Sequence, residues 1–585
     1  MEIRHNRLVL TGCLLVLTAL APLEAQSLST SYDQFAPKPV PPSGLGPIKP
    51  PVPATVMGGQ AEQVLLPKLK GLVFVGRPED IVVSGVKKSK GIVFDKDVQV
   101  PAAAEFRAMV SPFLGQKLTR GKLNELITAI IIHYRKNDHP VIDVIVPQQD
   151  INAGSVQILL LESRVNAVRV AGNNWFPSEE ISDCFRAKRG SQIIASDMRS
   201  DLAWANQNPF HTSDIIYQPG PDIGTTDIIL QTQDRFPARF YVGYEDSGNP
   251  QTGYDRYIAG LNWGDAWDAG LGHQLNYQYT SSGDMRSLQA HAGSYVIPLP
   301  WHHTLTFFGN YITTEGLVPP LISVQGLSYQ ASMRYNIPLP SIGDYKQNVG
   351  AGFDYKYDRS SLQFGGVPIS TLPTAVEQFA FTYDGSLRDP WGISSLGAQI
   401  YYSPGDWGGY NNDAAFNASH TFATTSYDYA NIQLSRLTRL PGEWSLFLHG
   451  TLQFSNSNLV PSEQLGLGGY DTIRGYDERE VNADEGCIFN VEVRTPTLSL
   501  GKAFGWSGLQ DQLQLLAFWD TGAGWNHTPL PGEASEISLS SLGGGLRYSI
   551  NTYLSVRADY GFQLQNTGLD TLHGGRGDLG LVLSY

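Results

Sequence analysis

The stretch Leu554-Ser555-Val556-Arg557-Ala558-Asp559-Tyr560-Gly561-Phe562 alternates between apolar and polar residues along its whole length. Successive side chains on a β-strand point to opposite faces, so this run reads as one strand with an aromatic, apolar face and a charged face. The same period recurs upstream. Leu275, Tyr277 and Tyr279 alternate with Gln274, Asn276, Gln278 and Thr280. Trp444, Leu446, Leu448, Leu452 and Phe454 alternate with Ser445, His449, Thr451 and Gln453. From about residue 237 onward helical periodicity gives way to period two.

A soluble sandwich also alternates, with its apolar face inward. Three features favour a membrane β-barrel over residues 237–585 instead. The segments are of spanning length and separated by turn-rich stretches such as Gly405–Asp413. Tyr and Trp gather near segment ends, as interfacial girdles require. The chain also carries an export signal. A closed barrel leaves no unpaired backbone edge in hydrocarbon. At ~20 residues per strand plus loop, the region holds roughly 16 antiparallel strands. The last of them, Leu581-Val582-Leu583-Ser584-Tyr585, ends on an aromatic residue, as a barrel sorting signal does.

Residues 1–25 read as a signal peptide: Arg4 and Arg7 are its charged start, Leu8 to Ala21 its apolar region, and Leu23-Glu24-Ala25 a small-residue cleavage site. Residues 26–64 form a Pro-rich N-terminal linker, an extended polyproline-type spacer. Beyond the signal no run of about 18 apolar residues offers a membrane-crossing helix. Cleavage leaves Cys184 and Cys487 in different domains, so a disulfide framework is not expected. A net charge of -14 argues against a nucleic-acid footprint.

Two small α+β units separate linker and barrel, at 65–163 and 164–236. In the first, Gly71–Val75 reads as a strand, 101–114 and 119–136 as helices, and Ile142–Val146 and Val156–Leu161 as strands. Leu123, Leu126, Ile127, Ile130, Ile131 and Tyr134 make one buried helical stripe. The second repeats the β-α-α-β-β order, with strand Val165–Val170, helices Pro177–Ala187 and Ser196–Asn206, and strands Ile215–Gln218 and Asp227–Thr232.

One further run stands out: Leu467-Gly468-Gly469-Tyr470-Asp471-Thr472-Ile473-Arg474-Gly475-Tyr476. Downstream lies Phe518-Trp519-Asp520-Thr521-Gly522. By alternation Asp520 faces the lumen with Gln512, Gln514, Leu516 and Phe518, where a half-buried carboxylate needs a partner. Arginine suits it, because a planar fork binds a carboxylate through two bonds. Asn490, Glu492 and Arg494 likewise share one face, so Glu492 and Arg494 are candidate lumen charges.

This order of elements and motifs resembles the two-partner-secretion transporters, the haemolysin-activator and filamentous-haemagglutinin pores, within the outer-membrane assembly barrel superfamily. The resemblance spans about residues 65–585 and implies that the two small units are periplasmic POTRA domains, the second of haemolysin-activator type. It implies that a loop around 467–480 folds back into the barrel. There Ile473, Arg474, Gly475 and Tyr476 match the family's inner-loop motif, and Phe518, Asp520 and Gly522 match the wall motif whose aspartate pairs with the loop arginine. Family members often carry an N-terminal plug helix, but only about 10 residues separate the cleavage site from the Pro-rich run here, which argues against one.

The resulting expectation is an outer-membrane pore, not an enzyme, that secretes an exported, unfolded partner without ATP. The implied partner is a large, β-helical exoprotein. Capture would use a strand edge of the second unit, either the strand with Asp227 and Thr232 or the one with Ile215 and Gln218. Outer-membrane lipid and the outer-membrane assembly machinery, which would insert the barrel, are the other partners. No cofactor or metal is expected: zincin, nucleophile-elbow and phosphate-loop motifs are absent, and His302-His303 reads as a turn pair. Arg576-Gly577-Asp578 reads as a turn before the last strand. The alternatives are an outer-membrane protein insertase, which two POTRA units rather than about five argue against, and a diffusion porin, which the paired motifs argue against.

Overall fold

The computed structural model describes residues 32–41, 62–86, 89–268, 270–318, 322–364, 367–506, 508–529, 536–567 and 574–585. The signal peptide and the Pro-rich residues 42–61 lie outside the described residues. The chain divides into a unit Leu45–Arg235 and a unit made of Phe236–Tyr585 with Met1–Gly44.

The first unit holds two modules. In the N-terminal one, four strands lie in the order Gly91–Phe94, Gly71–Val75, Ser155–Glu162, Ile142–Ile145. Strand Gly91–Phe94 has no counterpart in the sequence reading; four residues are too few for alternation to register, and it is held by parallel pairing to Gly71–Phe74. Helices Ala103–Val110 and Arg120–Lys136 cover one face. The second starts at Thr119, whose hydroxyl accepts the Lys122 N–H at 3.2 Å and satisfies one of the donors a helix start leaves free. Its stripe is buried: Leu126, Ile130 and Tyr134 pack with Leu72, Phe74, Phe106 and Ile158. Each such side chain contributes roughly 1.5–3 kcal/mol by leaving water.

The second module has three strands, ordered Arg164–Ala171, Thr225–Asp234, His211–Pro219. Its first helix stops at Asp183 rather than running to Ala187. The buried Asp201 carboxylate accepts the Arg186 backbone N–H at 2.9 Å and its Nε at 2.7 Å, and this draws the chain out of the helix. The strand order corrects the edge expectation. Ile215 and Gln218 lie on the edge strand, but Asp227 and Thr232 lie on the central one. Alternation reveals which face a residue occupies, not whether its strand is flanked. Here Thr225–Asp234 pairs parallel with Arg164–Ala171 and antiparallel with His211–Pro219, so both its sides are used.

The other unit is a closed barrel of sixteen antiparallel strands, from Ala238–Glu245 to Gly575–Ser584. It closes by pairing Tyr241–Glu245 with Gly580–Ser584. Arg239, Tyr241, Gln278, Asp354, Asp520 and Asp559 point inward and are buried, whereas Phe240, Val242, Tyr277, Trp519, Tyr560 and Phe562 point outward and are exposed. Trp267, Trp301, Trp391, Trp444 and Trp506 are exposed in or beside the connections at one rim, the rim where the chain enters the barrel. That is an interfacial girdle, apolar rings with a polar tip at the headgroup level. Among the described residues no helix is long and apolar enough to cross a membrane; the strands cross it.

Part of the segment read as a linker lies inside the barrel. Tyr32–Phe35 is a single helical turn. Phe35 packs on Leu288, Ala290, Ala292 and Ile312 of the inner wall. The Lys38 N–H donates to Tyr241 Oη at 2.9 Å, its Nζ pairs with Glu245 at 2.6 Å, and Arg239 and Asn262 donate to its carbonyl. Proline fixes the extended backbone here, but Tyr32, Phe35 and Lys38 between them give it a side to bury, which a solvated spacer lacks.

His211 gives the second module a pH dependence. It is buried, with its ring 4.8 Å from that of Phe176. Burial pulls its pKa down to about 4. In the unfolded chain it protonates near ~6.5, so between these values only the unfolded state binds the proton. Stability is therefore full above that unfolded value and falls as pH drops toward the folded one. At pH ~5 the loss is about 2 kcal/mol. Amide exchange along Thr225–Asp234, corrected for intrinsic rate, should accelerate accordingly between pH ~7 and ~5. His211→Gln should flatten the difference; an unchanged profile would contradict the assignment.

Candidate functional site

Strands Ser445–Ser455 and Glu485–Arg494 are neighbours in the barrel wall. The chain between them, residues 456–484, turns into the bore and carries a short hairpin, Leu465–Leu467 against Val481–Ala483. Its apolar side supplies the adhesion. Leu465, Leu467, Ile473, Tyr476, Val481 and Ala483 are buried together with the wall residues Ile488 and Leu539.

Arg474 sits at the inner tip with its side chain 4% exposed. Its Nε donates to Asp520 Oδ2 at 2.7 Å and its Nη2 to Asp520 Oδ1 at 2.9 Å, a two-pronged pair. Its backbone N–H adds a third bond to Asp520 at 3.2 Å. Nη1 donates to Glu492 Oε1 at 2.8 Å. The guanidinium carbon lies 3.6 Å from the ring centroid of Phe518, a stacking only a flat cation makes well. Phe518 and Asp520, two apart on the strand Asp511–Trp525, therefore both face inward and grip one side chain from beneath and from its edge.

The other motif residues are fixed by space. Gly475 has φ +94, and a Cβ there would lie 2.7 Å from the Gly561 carbonyl oxygen. A Cβ at Gly522 would lie 2.8 Å from Ile473 Cδ1 and 2.7 Å from the Cys487 carbonyl oxygen. Gly475 thus lets the loop backbone meet the wall backbone, and Gly522 lets the Ile473 side chain seat against the wall. Tyr476 is buried, and its hydroxyl lies 2.8 Å from the Ser540 carbonyl oxygen and 2.6 Å from that of Gln565, one of which takes its single proton.

Glu492 and Arg494 join the same cluster, with Arg494 Nη2 2.6 Å from Glu492. The structure adds groups outside the sequence-stated site. Asn490 donates to Asp520 at 2.8 Å and to the Thr472 carbonyl at 2.6 Å. Asp559 accepts a two-pronged pair from Arg547 at 2.7 and 2.9 Å and a bond from Arg557 at 2.8 Å. Arg557 reaches Asp471 at 2.6 Å and covers the Tyr470 ring. Arg576 is inside the last strand rather than in a turn before it, and bonds Asp477 of the loop at 2.7 Å. Arg557 and Asp559 stood on the polar face of the alternating run; that was the available signal. Ile215, Gln218, Asp227 and Thr232 belong to the other unit and take no part. Among the described residues no cluster of His, Cys, Asp and Glu is arranged to hold a metal ion.

The cluster alternates sign. Arg474, Arg494, Arg547 and Arg557 interleave with Asp471, Glu492, Asp520 and Asp559. Removing Arg474 or Asp520, the most buried pair of the set, leaves a charge uncompensated at a cost of roughly 3–5 kcal/mol. The arrangement is a fastening. It fixes a loop inside the bore.

Comparison with known proteins follows the same lines. A family model described as haemolysin secretion/activation protein ShlB/FhaC/HecB matches residues 224–548. One described as POTRA domain, ShlB-type, matches residues 88–163. The heme/hemopexin transporter protein HuxB of Haemophilus influenzae (strain 86-028NP) is 22% identical over 470 residues, covering 78% of this chain and 80% of its own. The outer membrane transporter CdiB of Dickeya dadantii (strain 3937) is 21% identical over 415 residues, covering 66% and 68%. The solved structure of CdiB from Escherichia coli shares the fold, with a TM-score of 0.68 at 17% identity over 92% of this chain and 93% of that one.

Gly475→Ala tests the close approach. Strain at positive φ costs of order 1–3 kcal/mol even before the clash with Gly561 is counted. The variant should insert as a barrel, but its loop should become a protease target around residues 467–480 under limited digestion of the purified protein. A digestion pattern identical to the parent's would show that the loop does not depend on this contact.

Proposed function

The chain belongs to the haemolysin secretion/activation family of ShlB/FhaC/HecB type, and on that premise we propose that it secretes its partner as an unfolded chain, without ATP. At the coarser level it is a two-partner-secretion transporter of the outer membrane, with POTRA modules in the periplasm, and it acts with a secreted partner protein.

The finer reading rests above all on the Arg474–Asp520 fork inside a sixteen-strand bore. A diffusion pore needs only a wet, charged lumen. A loop tied into the bore by a two-pronged pair, an aromatic stack and two glycine contacts is built to hold one arrangement and to exchange it for another. Arg474 and Asp520 would keep the loop and the adjoining wall in the transport-competent arrangement. The partner, a large β-helical exoprotein, would pass as an extended chain. Its folding outside would supply direction, so no nucleotide is needed.

Capture would begin at the second module. His211–Pro219 is an edge strand, with Ile215 and Gln218 on it. An extended chain can add to such an edge through backbone bonds, with side-chain pockets giving selectivity. The barrel itself would reach the membrane through the outer-membrane assembly machinery.

Quantitative proteomics of culture supernatant and outer membrane, with and without the gene, tests the reading. Loss of one large protein from the supernatant with the membrane unchanged supports it. Depletion of several barrels from the membrane would establish an insertase instead. Arg474→Ala should reproduce the supernatant loss by at least about tenfold while barrel remains in the membrane, since several charge-assisted bonds vanish together. Normal secretion by that variant would remove the loop from the mechanism.

A further inference from the structure

Arg474 fastens only the tip of the inner loop. Its first leg carries a second buried charge on another part of the wall. The Glu463 side chain is fully buried and that of Lys356 is 4% exposed. Lys356 Nζ donates to both Glu463 carboxylate oxygens, at 2.9 and 3.0 Å. Gln378 Nε2 donates to Glu463 Oε2 at 2.9 Å, and Tyr429 Oη donates to it at 2.7 Å. Three different strands thus converge on one loop carboxylate: Tyr345–Phe364, Val367–Asp389 and Ser426–Arg439. Behind them Arg334 and Asp354 form a two-pronged pair at 2.7 and 2.9 Å, which fixes the wall. The leg is also packed, with Leu459 and Val460 buried among Phe416, Ala423 and Tyr427.

The position of these strands gives the pair its meaning. Counted round the barrel from Ala238–Glu245, Lys356 is on the seventh strand and Gln378 on the eighth. Arg474 is held by the twelfth and thirteenth and lies 3.8 Å from Asp559 on the fifteenth. Tyr429 is on the tenth strand, and Gln453 on the eleventh donates to the Glu463 carbonyl at 3.1 Å. The first leg of the loop is therefore tied to the seventh, eighth, tenth and eleventh strands and its tip to the twelfth and thirteenth, with a buried ion pair in each group.

We propose that Lys356 and Glu463 are positioning residues that form the second tie of the inner loop, and that the bore opens for the partner only when this tie is released. The proposal rests on the transport reading above for its link to secretion, and on geometry alone for the tie. A buried charge that loses its counter-charge is left uncompensated, so each single removal weakens the tie. Removing both charges leaves neutral groups that Gln378 and Tyr429 can still bond.

The test is conductance of the purified full-length protein in planar lipid bilayers. Lys356→Met should raise mean conductance at fixed voltage at least about tenfold. Glu463→Gln should raise it less, because Lys356 has Asp354 two residues along its own strand. The double variant K356M/E463Q should return to within about twofold of the parent, since no charge is left unpaired. General loosening of the barrel would not be repaired by a second substitution. If Lys356→Met does not reach the membrane, Glu463→Gln and the double variant decide the question. Parent-like conductance in the single variants, or a double variant no closer to the parent than they are, would overturn the proposal. Secretion is read in the same strains: K356M should keep it, since a tie already released does not bar the partner. A parent that secretes nothing counts against the transport reading, whereas the conductance comparison still decides the tie.

Discussion

A guanidinium withdrawn from water has five N–H donors and one charge to satisfy, and at Arg474 three of the donors and the charge are met by two carboxylates in the bore. The side chain is 4% exposed and is met by Asp520, Glu492 and the face of Phe518. Everything nearby follows from meeting it. Asn490 completes Asp520, Arg494 completes Glu492, and Arg547 and Arg557 complete Asp559. Glycine is required where the loop backbone meets the wall backbone at Gly475, and where loop side chains press on the wall at Gly522. A loop of polar backbone can sit at membrane depth only because it lines a lumen and is enclosed by protein.

The barrel makes such a lumen possible. Closing sixteen strands satisfies every ladder group except where loops take over, and alternation sends aromatic and aliphatic side chains to lipid and polar ones inward. The interior is then occupied from two directions. The inner loop is tied through Glu463 to one group of strands and through Arg474 to the next. The segment Tyr32–Pro41 lies along the strands nearest the closure, bonded to Tyr241, Glu245, Arg239 and Asn262. Transport of a chain through this bore requires the contacts of residues 32–41 and the Lys356–Glu463 tie to yield while the Arg474 fork holds, so the buried ion pairs are better understood as setting arrangements than as adding net stability.

Much of this was legible in the chain. Period two over Leu554–Phe562 and its counterparts gives strand, face and lipid exposure together, because one residue of slip would invert every side chain. The spacing of Phe518, Asp520 and Gly522 placed all three on the lumen face. Edge and centre in the second module were not legible: Asp227–Thr232 and Ile215–Gln218 have similar patterns, and only the parallel return of the chain puts one between its neighbours. Nor was the Lys356–Glu463 pair, because a loop glutamate separated by more than 100 residues from its partner leaves no periodic trace. Lys38 among prolines looked like a solvated charge, since nothing local announces Glu245 as its partner.

The account depends most on the shape of one cation, not only on its charge. Arg474→Lys keeps the charge but cannot make the fork on Asp520, reach Glu492 and lie flat on Phe518 together. Secretion of the partner into the medium, normalised to barrel in the outer membrane, is the most direct measurement. The account predicts that Arg474→Lys falls by at least about tenfold, close to the level of a variant with no cation at that position. Secretion at the parent's level would mean that a point charge suffices, and the two-pronged fastening could not be what holds the loop for transport.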